Sequence, residues 1–201
     1  MSRTPEGEVS LRLASWLICN DLVAGPVEVA IDGAQVQTAG VVHFDLPAFL
    51  VSCGWVKAGT GAAWQCVYSH PDRQIGLRIH SNPGKGDVVA PLRAGGILRV
   101  ECKKGPLLRS NNSQEYPLLR EALGQLLTID EVQPTDVLAV AVPHSAKFVE
   151  LAARWRRAPL IRRFGIRILT VDQTGGVTGF EGPQNNEMHL TSAAQATDAR
   201  R

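Results

Sequence analysis

The segment 84-GKGDVVAPLRAGGILRVECKKG-105 places three ionisable side chains in a stretch otherwise patterned for β-structure. Asp87 opens one apolar run, while Glu101 and Lys103 stand two residues apart in another. Strand side chains repeat every second residue, so Arg99, Glu101 and Lys103 share one face and Leu98, Val100 and Cys102 the other. Ala94-Gly95-Gly96 permits a tight turn between DVVAPL and ILRVECKK. Folding back there brings Asp87 toward Glu101 through Lys103, so that two carboxylates and an amine converge. Two carboxylates and a backbone carbonyl make a hard-cation site with room for water, which suits magnesium. A divalent ion polarises a phosphoryl oxygen and acidifies water, and a nearby ammonium orients that water and stabilises developing negative charge. Hydrolysis of a phosphodiester needs this set of parts. The same three groups could instead form a surface salt-bridge cluster of little energetic weight. Helices covering the sheet argue against that.

The elements that must hold this cluster follow from pattern. Thr4, Pro5, Glu6 and Glu8 read as a helix start, and Val9, Leu13, Trp16 and Leu17 recur at helical spacing behind them. Residues 25–45 read as loop or a short hairpin turning at Asp32-Gly33, and 46–55 as a short helix closed by Gly54. WQCVYSH (64–70) and IGLRIHS (75–81) alternate as strands around Pro71-Asp72. After 87–92 and 97–104 comes a polar loop, 109–115, then a helix over 117–128. VLAVAV (137–142) reads as a strand covered on both faces. A basic helical stretch over 145–164, broken at Pro159, precedes a last strand at 166–171. Strand alternating with helix after residue 96 calls for parallel pairing through right-handed crossovers. The expectation is an α/β fold with a mixed central sheet flanked by helices, one domain over 1–180, and a flexible tail over 181–201.

Composition narrows the function classes. In 201 residues the formal net charge is only +2, so nucleic-acid binding would need a local patch. One such patch is Lys147, Arg154, Arg156, Arg157, Arg162, Arg163 and Arg167, with Trp155 interleaved; a solvated helix face is the alternative, and Glu150 as the only acid among these positions favours phosphate contact. The four cysteines, Cys19, Cys53, Cys66 and Cys102, lack zinc-like spacing, which fits a reducing cytoplasm. No window is apolar enough for a membrane helix, and the opening twenty residues are too polar for a signal segment. Gly84-Lys85-Gly86 is no P-loop, and no GxSxG elbow accompanies His144-Ser145.

With these residues in view, GDVVAPLRAGGILRVECKKG resembles the signature of the PD-(D/E)XK nuclease superfamily, over roughly residues 4–171. The resemblance implies a restriction-endonuclease-like core, αβββαβ with an added αβ. It assigns the acid of the second core strand to Asp87 and the Glu-x-Lys of the third to Glu101 and Lys103. The Cys102 main-chain carbonyl becomes a further metal ligand. A first-helix glutamate that helps hold the ion falls on Glu8, with Glu6 as the fallback, and a glutamine on the next helix falls on Gln125. Glu8 could instead serve only the helix dipole, and Gln125 a polar packing contact. One departure is Gly86, which stands where the signature has proline.

The function so implied is a magnesium-dependent endodeoxyribonuclease, with manganese able to substitute. Asp87 and Glu101 would hold the ion and Lys103 would position water. Lys85, Arg99, Lys104, Arg154, Arg156 and Arg157 would contact the nucleic acid. Cutting both strands of DNA would call for a homodimer, and an RNA substrate shares the chemistry. The alternative is a binding module of the same fold that has lost catalysis and serves in a larger complex.

Overall fold

A computed structural model describes residues 3–59, 63–106 and 114–181. Strand β1 (Arg3–Thr4) leads into helix α1 (Glu6–Cys19), strand β2 (Val27–Ala30) and the hairpin of β3 (Gln35–Thr38) and β4 (Val41–Asp45). Helix α2 (Leu46–Ser52) precedes strands β5 (Val56–Lys57), β6 (Val67–His70), β7 (Arg73–His80), β8 (Val88–Pro91), β9 (Ile97–Cys102) and β10 (Gly105–Pro106). The remainder comprises α3 (Glu115–Leu126), β11 (Val137–Pro143), α4 (Ala146–Trp155), α5 (Pro159–Arg163), β12 (Arg167–Val171) and β13 (Val177–Thr178).

Nine strands form one mixed sheet in the order β13-β12-β11-β9-β8-β2-β7-β6-β5. Strands β9, β11 and β12 are parallel, as their crossovers require, whereas β8 runs antiparallel to both neighbours. Helix α1 covers one face: Val9, Leu13 and Leu17 are wholly buried and share a core with Leu98, Val100 and Cys102. On the other face, Leu119, Ala122 and Leu126 of α3 join Phe148 and Leu151 of α4 over Val140, Val142 and Ile168. Burying each large aliphatic side chain contributes about 1.5–3 kcal/mol, so these two layers fix where the polar edge of β9 can lie. Among the described residues no helix is long and apolar enough to cross a membrane.

Three local expectations are corrected. Thr4 does not cap α1; it pairs with Gly105 of β10, Pro5 takes the N-cap, and the helix begins at Glu6. Residues 27–30 are not loop but a central strand, parallel to β7 and antiparallel to β8. The hairpin that follows turns at Ala39-Gly40, where both φ angles are positive, and not at Asp32-Gly33. The 109–113 part of the expected polar loop and the expected tail beyond Glu181 lie outside the described residues. Phe180 packs edge-on against Trp16, with ring centroids 5.2 Å apart.

The β8–β9 hairpin has Val88 opposite Val100 and Ala90 opposite Leu98, and the next position of that register sets Asp87 against Glu101. Its turn requires glycine at 96, where φ is +75° and any added side-chain carbon would collide with the Thr135 carbonyl.

Candidate active site

A cleft of about 610 Å³ opens where the carboxyl end of β9 meets the start of β8, the first turn of α1 and the last turn of α3. Asp87, Glu101, Lys103, Lys104 and Gln125 all line it, together with Glu6 and Asp32. Residues far apart in the chain meet because β8, β9 and β2 are neighbours in the sheet and two helices end against that edge.

Asp87 is held by its backbone and its side chain. Its N–H donates to the Val100 carbonyl and its own carbonyl accepts from Ala30, both at 2.8 Å. Its Oδ2 accepts the Cys102 peptide N–H at 2.7 Å. Burial pushes the Asp87 carboxyl up to about 6; the Cys102 N–H and Lys103 pull down, while Glu6 and Asp32 push further up. Glu101, half-buried, is pushed up to about 7, first by burial and then by the charge of Asp87. Lys103 is 5% exposed. Its Nζ lies 3.4 Å from Glu6 Oε1 and 3.5 Å from Glu121 Oε1. Burial pulls this amine down, but Glu6, Asp87, Glu121 and Glu101 outweigh it and hold it above the ordinary lysine value. Lys103 is therefore an ammonium. The Cys102 thiol is buried in the core and raised well above its usual range, chiefly by burial, so only the peptide of Cys102 bears on the cleft.

The first-helix carboxylate on the cleft is Glu6 and not Glu8. Two residues on a helix are turned about 200° apart, so only one of the pair can face the cleft. Glu8 instead takes both Nε and Nη2 of Arg12, at 2.8 and 2.7 Å. Arg99 is also drawn away: it is buried at 7% exposure and bonds Asp136 Oδ2 at 3.1 Å. Asp136 accepts from the N–H groups of Ile97 and Gln133 as well, so this pair ties the start of β9 to the loop before β11. Burial pushes the Asp136 carboxyl up, but these hydrogen bonds outweigh it and hold it below the usual range. Arg156 donates to the carbonyls of Ile168 and Thr178. Arg154 and Arg157 are exposed and do not line the cleft. Lys85 is exposed, between two glycines that do line it.

Gly86, the departure from the signature, has φ +101° and lies against the Val100 backbone. Proline is confined near −65° and could not occupy this position without moving the start of β8.

Two further acids at the site are Asp32, expected only in a turn, and Glu121. Glu121 stands four residues before Gln125, hence on the same face of α3, and that spacing could have revealed it. Asp32 could not be placed without knowing that β2 enters the sheet beside β8.

Among the described residues no three His, Cys, Asp or Glu side chains are already arranged as a metal ligand set. Glu6 is paired with Lys103, and Asp87 with the Cys102 N–H. The donor chemistry nevertheless fits a hard cation. Two carboxylates raised by burial and by neighbouring acids are a charge arrangement that a divalent ion relieves, and carboxylate and carbonyl oxygens are the ligands magnesium prefers. No protein-family model matches the chain, and neither a curated protein nor a solved structure matches it.

Proposed function

We propose that this chain is a divalent-metal-dependent endonuclease that hydrolyses DNA phosphodiester bonds on a restriction-endonuclease-like core. The observation that carries this reading is the meeting of Asp87, Glu101 and Lys103 in one cleft, with Glu6 and Gln125 on its walls. The order of elements supports it: an acid immediately precedes β8, Glu-x-Lys spans the end of β9, a glutamine-bearing helix follows, and then comes the buried strand β11.

Asp87 and Glu101 would hold magnesium or manganese, with the Cys102 carbonyl and Glu6 as further oxygen donors. Such an ion supplies positive charge at a phosphoryl oxygen and acidifies nearby water. Lys103 Nζ orients the attacking water and stabilises charge on the phosphate through its ammonium protons. Glu121 and Glu6 keep that ammonium charged and fixed in direction. Gln125, on the cleft lining, would hydrogen-bond a phosphate oxygen or water.

The test is incubation of supercoiled plasmid with purified protein in magnesium, manganese or EDTA. Nicking that needs the ion and disappears in Glu101→Ala is expected. Protein that shifts plasmid without cutting it under either metal would mean a binding module.

A further inference from the structure

The cleft alone is poorly suited to hold a polyanion. Its walls carry the carboxylates of Glu6, Asp32, Asp87 and Glu101 against the amines of Lys103 and Lys104. A phosphate backbone approaching it meets net negative charge until a cation arrives, so affinity for nucleic acid must be supplied elsewhere on the molecule.

The stretch 154-RWRRAPLIRRF-164 has the opposite character. It contains no Asp or Glu. Arg157, Arg162 and Arg163 are exposed, and among the described residues no ion pair engages any of them. Ile161 is the residue of α5 that faces inward, which turns Arg163 outward and sets Leu160 and Arg162 on the flanks. Leu160 and Phe164 are each 63% exposed beside these cations. Arg156 fastens the segment to the Ile168 carbonyl of β12, which stands two strands, ~10 Å, to the side of β9. The patch is thus tied to the sheet edge through Arg156, and none of its residues lines the cleft.

We infer that this α4–α5 surface is a second nucleic-acid contact, gripping phosphates with Arg157, Arg162 and Arg163 and packing Phe164 against sugar or base faces. Charge complementarity names the class of occupant. Arginine interleaved with exposed apolar and aromatic side chains is the composition that grips a backbone while contacting bases without reading them. The choice of nucleic acid over another polyanion rests on the reading of the cleft as a phosphodiesterase.

The experiment measures fluorescence anisotropy of a labelled 30-base-pair duplex and of a 30-nucleotide single strand in EDTA, where cutting plays no part. Each strand is titrated with wild type, the R157E/R162E/R163E protein and its charge-keeping R157K/R162K/R163K counterpart. Charge reversal is expected to weaken binding of at least one probe about 100-fold and to lower the log–log salt slope by about 2–3, with the lysine protein close to wild type. The better-bound probe identifies the strand form gripped. Unchanged affinity and slope on both probes would overturn the inference and leave the patch to an acidic protein surface. Loss of binding on charge reversal in a protein that never nicks plasmid would uphold this surface while removing the catalytic reading of the cleft.

Discussion

The Asp87 carboxylate accepts the Cys102 peptide N–H at 2.7 Å, joining the first residue before β8 to the last residue of β9. This bond fixes one proposed metal ligand relative to the next residue along from another, Glu101. It also leaves one carboxylate oxygen of Asp87 free of that bond, on the lining of a cleft already rich in acids.

Asp87→Asn should separate stability from metal binding. Asparagine retains an oxygen for the Cys102 N–H while removing a buried charge that burial, Glu6 and Asp32 all disfavour. In EDTA near neutral pH the variant is expected to melt higher than wild type, by roughly 2–4 °C per kcal/mol relieved. Thermal scans with and without magnesium check this: wild type should gain stability from the ion and the variant should not.

The pH dependence of the metal-free protein follows from the same groups. Asp87 and Glu101 are raised to about 6 and about 7, so the folded chain keeps protons that the unfolded chain has released. Their contribution to stability is complete below the ordinary carboxylate range, about pH 4, and is lost as pH rises through about 6–7. Melting temperature in EDTA should therefore fall across that window, and the fall should flatten in Asp87→Asn. Magnesium competes with these protons, so its stabilising effect should grow with pH over the same range.

The two first-turn glutamates should behave differently. Glu6 faces Lys103 and the cleft, so Glu6→Gln is expected to lower divalent-ion affinity or cleavage about 10–100-fold. Glu8→Gln removes only an i,i+4 pair with Arg12 and should cost less than about 1 kcal/mol. Calorimetric titration with magnesium, together with urea melts, distinguishes them.

The Arg99–Asp136 pair is buried and structural. Asp136→Ala strands the Arg99 guanidinium and two backbone N–H groups, and should destabilise by about 3–5 kcal/mol in urea unfolding. Replacing Arg99 as well removes the stranded guanidinium but leaves both N–H groups unpaired, so the double variant should recover only part of that loss.

The β8–β9 hairpin was legible because alternation and Gly95-Gly96 are local signals, and α1 and β11 because apolar spacing alone determines which face is buried. Strand β2 was not: VEVA is four residues long, and its parallel pairing with β7 depends on residues some fifty positions away. The same non-locality hid the partner of Arg99, which face analysis placed beside Glu101 but which Asp136 draws into a buried pair 37 residues distant. Placing Glu8 ahead of Glu6 is reversed by the phase of α1, which the pairing of Thr4 with Gly105 helps set. Asp87, Glu101, Lys103 and Gln125 were brought together because each sits on an element whose direction the strand and helix pattern specifies.

The most direct measurement is single-turnover cleavage of a labelled DNA duplex in magnesium by wild type and Lys103→Ala, with binding of the same duplex followed in parallel. The expected result is cutting by wild type and at least about a 1,000-fold slower rate in the variant, with affinity changed little. Equal cleavage by both proteins would contradict the role of Lys103, and no cleavage by wild type under magnesium or manganese would contradict the catalytic reading itself.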